Sequence, residues 1–187
     1  DGSLRAQALV LPAERVIAQE MKVIRPDPIH AARESMVNAL ALAHKDALWA
    51  HYDALAPQGA YAHEEGQIDR RRLRNVILRM LVATGEETAI ESAWAQFEGA
   101  DNMTEAQWGF VVLADLKHSR RDDVIAAFYE RWKADPLVLD KWFSIQATSI
   151  RSDTLERVQA LAGHADFTIT NPNRVRSLIG AFCSGNQ

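Results

Sequence analysis

The chain has 187 residues, enough for one ordinary domain, or a domain with a short extension, but not for two well-cored domains. Its net charge of -4, from 21 Lys and Arg against 25 Asp and Glu, gives no reason to expect nucleic acid or an anionic membrane as a partner. The lone Cys183 excludes a disulfide framework and a cysteine-rich zinc site, and it is typical of a reducing compartment. No apolar run reaches the roughly 18 to 20 residues of a transmembrane segment, and no signal-peptide pattern is present.

The first predicted helix begins at Asp27, after a lead-in segment of residues 1–26. Asp27 is expected to cap it and Pro28 to occupy its first position. Apolar residues at steps of three and four predict that the helix runs on until just before Pro57, where a polar loop over residues 59–66 follows. Its predicted buried stripe comprises Ile29, Ala32, Met36, Ala39, Leu40, Ala43, Ala47 and Ala50.

Beyond the loop, predicted helix starts recur near residues 68, 86, 104, 121, 136, 153 and 172. Thr104 and Gln107 have capping-box spacing at one of these starts. Helices of three to four turns with short connections must be antiparallel neighbours, and two of them form a unit of about 35 residues. The prediction is an all-α fold in which antiparallel helical hairpins stack as a solenoid-like superhelix of the armadillo or HEAT type, with a compact bundle as the alternative. Residues 167–170 alternate like a strand but are interpreted as an extended linker.

A search for catalytic and metal-binding motifs gives no site in this chain. His63-Glu64 matches the first half of H-E-x-x-H, but Gln67 occupies the second ligand position. His44 and His51 are two helical turns apart, about 10 Å, which is too far for one metal ion without further ligands. Cys183 has no nearby His, and no nucleophile elbow or phosphate-binding loop is present. The prediction is therefore no catalytic residue, no metal ligand and no cofactor in this part of the protein.

Two arginine-containing segments could have either a structural or a ligand-binding role. The run at residues 70–74, with four arginines, is expected to form a solvated helix face or an ion-paired domain contact. At Asn171-Pro172 a helix begins with Arg174 and Arg176 in its first turn, where cations oppose the helix dipole. Together with free amide groups, these arginines would favour a ligand carboxylate. The alternative is that they pair with acids elsewhere in the protein.

Two longer motifs carry a family resemblance. The stretches DKWFSIQATS at residues 140–149 and NPNRVRSLIGAF at residues 171–182 resemble the C-terminal helical domain of the bacterial aminopeptidase N family, zinc metallopeptidases of the gluzincin type. Weaker similarities are LRN at residues 73–75 and NMT at residues 102–104. The resemblance extends over nearly the whole chain in order and spacing.

This resemblance implies a bacterial cytoplasmic enzyme that removes single residues from peptide N-termini. The family's zinc ligands and its amine-binding Gly-x-Met-Glu-Asn strand are absent from this sequence, so the chain is interpreted as a catalytically silent fragment that covers the catalytic domain of the same polypeptide. The helix start at Asn171 would face the cavity for peptide substrates. Arg176, with Asn173 and Arg174, are therefore candidates for lining it, and Trp142 is expected to pack in the core.

The resemblance also implies further helices beyond Phe182. The last helix is then expected to expose Val175, Leu178, Ile179 or Phe182. The alternative function, of a different class, is a free-standing helical-repeat module that binds a protein or peptide. The reading frame upstream of Asp1 distinguishes the two.

Overall fold

The computed structural model describes residues 2–186, and every regular element among them is helical. In chain order the helices are α1 (Gly2–Ala8), α2 (Glu14–Gln19), α3 (Pro26–Ala43), α4 (Lys45–Ala54), α5 (Glu65–Ala83), α6 (Glu87–Gly99), α7 (Met103–Ala114), α8 (Arg120–Trp132), α9 (Pro136–Ala147), α10 (Thr154–Ala162), α11 (Pro172–Val175) and α12 (Ala181–Gly185). A π-helical turn, Arg176–Gly180, joins α11 to α12 without a break. Residues 167–170 form an irregular connection, as predicted.

The seven helix starts predicted from residue 68 onward are confirmed to within three residues. Side chains of Asn102, Asp135 and Asn171 cap three of them. Asp135 is an example: its Oδ1 accepts hydrogen bonds from the amides of Leu137 and Val138, at 3.0 and 3.2 Å. Such a cap depends only on residues within one turn of the helix start. Pro136 then occupies the first position of α9, where its missing N–H costs nothing.

The capping box predicted for α7 is two residues out of place. Asn102, not Thr104, caps the helix, and its Oδ1 accepts the amide proton of Glu105 at 3.0 Å. In return, Glu105 Oε2 accepts a hydrogen bond from Asn102 Nδ2 at 2.7 Å. The return bond differs from that of a Ser or Thr capping box, where the acid accepts from the backbone N–H of the cap residue. Because Asn caps helices as well as Thr does, Asn102 and Thr104 were both plausible caps from the sequence.

The single long helix predicted from Asp27 is in fact two helices. His44, with φ -117° and ψ 18°, separates α3 from α4. The predicted buried stripe is also wrong, because Met36 is 55% exposed and Leu40 39% exposed, whereas Ala41 is fully buried. Every position from Met36 to Ala43 except Asn38 is apolar, so the periodicity left the buried face there ambiguous and packing against α5 selected it. Neither Asp27 nor any other side chain caps α3, which begins at Pro26.

The described residues group into two compact units. The first ends at Gly109 and is built around α5, which contacts α1, α3, α4 and α6. Because α5 has neighbours on several sides, it is apolar over much of its surface; Leu73, Ile77, Leu78, Met80, Leu81 and Val82 are all buried. The lead-in segment contributes α1, which packs against α5.

The second unit runs from Phe110 and is organised around α9. Helix α9 contacts α8, α10 and the continuous helix formed by α11, the π-helical turn and α12. Its core contains a cluster of aromatic rings, including the tilted pair Phe110–Phe128 with centroids 4.6 Å apart. Phe143 and Leu178 are fully buried beside them.

Of the four apolar residues that the last helix was expected to expose as alternatives, Ile179 is the exposed one. Leu178 is fully buried, whereas Ile179 is 39% exposed; Val175 and Phe182 are half-buried. Within the described part of the chain, no helix has the length and apolar character to cross a bilayer.

Candidate functional site

The candidate site lies at the start of α11, where the side chain of Asn171 caps the helix. Asn171 Oδ1 accepts hydrogen bonds from the backbone amides of Asn173 and Arg174, at 3.0 and 3.4 Å. Pro172 contributes no amide proton. The amides that were expected to attract a carboxylate are therefore satisfied within the helix start itself, and that part of the prediction is wrong.

Arg174 is held inside the protein. It is 5% exposed, and its Nη1 donates a hydrogen bond to Asp140 Oδ1 of α9 at 2.7 Å. Its guanidinium carbon also lies 5.0 Å from the centroid of the Phe143 ring, within cation–π range. Arg174 therefore forms the structural ion pair that the sequence left open as an alternative, and it joins the two motifs at residues 140–149 and 171–182.

Arg176 and Asn173 differ from Arg174 in their surroundings. Both side chains are exposed, and neither takes part in a hydrogen bond or ion pair with any described residue. Arg176 opens the π-helical turn, two residues beyond Arg174. Each residue advances a helix by about 100°, so residues 174 and 176 are about 200° apart. Their side chains therefore project from opposite sides of the helix. The chain thus presents a free guanidinium and a free carboxamide on the outer side of this helix start.

Trp142 packs in the core of the second unit, as predicted. It is 4% exposed, and its indole nitrogen donates a hydrogen bond to the carbonyl oxygen of Ile125 at 2.9 Å. The rings of Tyr129, Phe143 and His164 lie within 5.2 Å of it, centroid to centroid. These contacts connect α8, α9 and the segment that follows α10, so Trp142 holds the elements around the Asp140–Arg174 pair together.

The basic run at residues 70–74 is not a solvated face. Arg70 donates to the carbonyl oxygen of Leu55 at 2.8 Å, and burial lowers its pKa. Arg71 is 4% exposed and donates to the carbonyl oxygen of Ala62. Arg70 and Arg71 thus attach the segment after α4 to α5, and Arg74 bonds to Gln96 of α6. Arg72 is the one exposed arginine of the run, and it donates to Ser3 Oγ at 2.8 Å.

A cavity in the first unit has no signal in the sequence, because its lining residues come from three distant segments. It has a volume of about 330 Å³ and includes Tyr52, Arg74, Gln96 and Glu105 in its lining. Arg74 Nη1 donates to Gln96 Oε1 at 2.8 Å and lies 3.8 Å from Glu105 Oε1. Burial raises the pKa of Tyr52. No sequence motif predicts the network of Arg74, Gln96 and Glu105. From the sequence, Glu105 is only an acidic residue in the first turn of a helix, where it favours the helix dipole.

The histidines form no metal centre with the other ligand-type side chains. Across residues 2–186 no three His, Cys, Asp or Glu side chains come together with metal-site geometry. His63 and Glu64 lie exposed in the loop before α5, and Gln67 Oε1 instead accepts hydrogen bonds from the amide of Ala62 and from Arg71. His44 and His51 line an apolar cavity of about 540 Å³ in the first unit.

Comparison with known proteins decides the family. A model described as "Domain of unknown function (DUF3458_C) ARM repeats" matches residues 1–187. The chain belongs to this family. ARM repeats are stacked helical hairpins, so the DUF3458_C match confirms the predicted all-α, armadillo-like fold.

Relatives of this DUF3458_C domain include three bacterial aminopeptidases. The chain is 38% identical to aminopeptidase N of Escherichia coli K12 over 186 residues, 100% of the chain and 21% of that protein. It is 32% identical to aminopeptidase N of Caulobacter vibrioides, covering 98% of the chain and 21% of the relative. It is 34% identical to aminopeptidase N of Haemophilus influenzae, again covering 100% of the chain and 21% of the relative.

A solved structure agrees. Aminopeptidase A of Legionella pneumophila, crystallised in complex with aspartic acid, matches with a TM-score of 0.86 and 28% identity over 97% of the chain and 22% of that protein. The resemblance to the C-terminal part of aminopeptidase N is thereby confirmed. The DUF3458_C domain spans about a fifth of the length of each of these relatives.

Proposed function

We propose that this DUF3458_C domain is part of a zinc-dependent aminopeptidase of the bacterial cytoplasm that removes N-terminal residues from peptides. The observation that carries the proposal is the match to three aminopeptidases N over essentially the whole chain. In this proposal the zinc and the catalytic residues belong to the catalytic domain of the same polypeptide. Among the described residues, no three His, Cys, Asp or Glu side chains are grouped so that they could hold that metal. We assign these residues an indirect part in the reaction.

The part assigned to this chain is to form a wall of the substrate cavity. Arg176 and Asn173 are the proposed contacts, because both are exposed and uncommitted to partners in the described chain. A guanidinium presents several N–H donors to a peptide carboxylate or carbonyl, and a carboxamide can both donate and accept. Arg174, which the sequence also nominated, supports the helix start from inside through Asp140. The wall would limit substrate length, exclude water and orient the peptide for chemistry carried out elsewhere.

The experiment is the replacement Arg176→Ala in the full-length polypeptide that carries this chain. A hydrogen bond to a charged group contributes about 1.5–3 kcal/mol, so the loss should raise KM for a tetrapeptide about tenfold or more. The kcat and the kinetics of a single-residue amide substrate, which does not reach along the cavity, should change less than about twofold.

The matched control is Arg79→Ala, since Arg79 is likewise exposed but lies on α5 in the first unit. An unchanged KM for the tetrapeptide in Arg176→Ala would refute the cavity role. The free-standing module is tested separately by mass spectrometry of the native polypeptide. The aminopeptidase proposal predicts about five times the mass of this chain, because 186 residues make up 21% of the relatives.

A further inference from the structure

We propose that Asp140 is a positioning residue for Arg176, acting by fixing the rotation of the helix at residues 172–185 about its own axis. The inference rests on the proposed function, since it gives a reason why the Arg176 guanidinium points outward. Asp140 lies on α9, and its carboxylate contacts Arg174 and Ser177, on either side of Arg176 in the sequence.

The contact is a two-point attachment. Asp140 Oδ1 accepts a hydrogen bond from Arg174 Nη1 at 2.7 Å. Ser177 Oγ lies 3.3 Å from the same oxygen and 3.0 Å from the carbonyl oxygen of Arg174, so its hydroxyl proton is shared between two acceptors. The side chains of Asp140 and Arg174 are only 19% and 6% exposed, so the pair is screened little by solvent.

These attachments determine the direction of Arg176 by helix geometry. Residues 174 and 177 are three apart and share one face of the helix, whereas residue 176 lies about 200° from residue 174. When Asp140 holds Arg174 and Ser177 against α9, the side chain of Arg176 must project from the opposite side of its helix, away from α9. The π-helical turn begins at Arg176 itself, and such turns are rare and frequently occur at functional sites.

Packing alone would fix this rotation less well. Leu178 is fully buried on the same side of the helix, but apolar contacts are not directional and tolerate small rotations. A buried ion pair often adds little to the free energy of folding, because removing both charges from water is costly. Here there is a further cost, because Arg174 Nε is a buried donor with no hydrogen-bond partner in the described chain. The Asp140–Arg174 pair is therefore better explained by the helix rotation that it fixes than by a gain in folding free energy.

The test uses the full-length polypeptide with Asp140→Asn, Arg176→Ala and the double variant. Asp140→Asn keeps the size of the side chain and removes its charge, and Ser177→Ala provides a second, milder loss of the attachment. We expect Asp140→Asn to raise KM for a tetrapeptide about three- to tenfold with kcat changed less than about twofold. In the Arg176→Ala background the same replacement should have no further effect, because the group that it positions is gone.

Asp135→Ala is the control, because it removes the cap of the same helix, α9, without touching residues 172–185. It should lower the melting temperature and leave KM unchanged. If Arg176→Ala raises KM but Asp140→Asn does not, or if their effects multiply independently, the positioning role is refuted and the proposed function stands. If Arg176→Ala has no effect, the proposed cavity role fails and the positioning role fails with it.

Discussion

Gly109 permits the close approach of α6 and α7, and replacing it tests the packing of the first unit. A Cβ added at this position would lie 2.8 Å from Phe97 Cβ and 3.0 Å from the carbonyl oxygen of Ala93. Carbon atoms normally approach to about 3.5–4.0 Å, so the two helices would have to separate by roughly 0.5–1 Å. Backbone atoms are among the obstacles, and a rotamer change cannot relieve that contact.

Two opposing terms set the expected magnitude for Gly109→Ala. Overpacking a close-packed interior costs about 1–3 kcal/mol, whereas replacing a helical Gly with Ala gains about 1 kcal/mol. The free energy of unfolding should therefore fall by up to about 2 kcal/mol. Gly99, the exposed last residue of α6, has no heavy atom within 4 Å of an added Cβ. Gly99→Ala should leave stability unchanged or raise it by up to about 1 kcal/mol.

The assay is equilibrium urea unfolding followed by the fluorescence of the five tryptophans, of which Trp94 and Trp108 lie on the two helices concerned. The slope of free energy against urea should be the same for wild type and both variants, so that the midpoints report stability directly. A Gly109→Ala variant as stable as the Gly99→Ala variant, with an unchanged slope, would refute the argument. It would mean that the α6–α7 contact is loose enough to accept a methyl group.

Two further predictions concern capping and titration. Asp135→Ala should lower the free energy of unfolding by about 1 kcal/mol, measured by urea unfolding, because the amides of Leu137 and Val138 lose their acceptor; no loss would show that water replaces the cap at no cost. The hydrogen bond from Arg151 lowers the pKa of Asp153, so Arg151→Ala should raise the carboxyl titration midpoint seen by carbon-13 NMR. Because the folded pKa of Asp153 lies below its unfolded value, its contribution to stability is present above the unfolded pKa, near 3.9, and is lost as the pH falls through the folded pKa. A midpoint that does not move in Arg151→Ala would contradict this assignment.

The sequence predicted helix starts better than buried faces. The start of α9 was predictable because Asp135 and Pro136 act on the next two or three residues. The buried face of α3 was not, because Leu40 and Ala41 are both apolar neighbours and only the position of α5 determines which is covered. The break at His44 likewise has no Gly or Pro to mark it.

The candidate site shows the same division. The sequence identified Arg174 and Arg176 as cations that oppose the helix dipole, but it could not separate their roles. The partner of Arg174 is Asp140, 34 residues earlier in the chain. Only folding brings that carboxylate to the helix start, and nothing in the local pattern distinguishes Asp140 from the other acids.

The sequence by itself thus determined the helical class, most of the helix starts and the family, because propensity, caps and motif identity are encoded within short stretches of chain. The tertiary structure decided which side of each helix is buried and which of the two arginines remains free. The reason is physical: burial and ion pairing depend on which distant groups come within a few ångströms of each other. That information resides in the packing of α9 against residues 172–185, not in either segment alone.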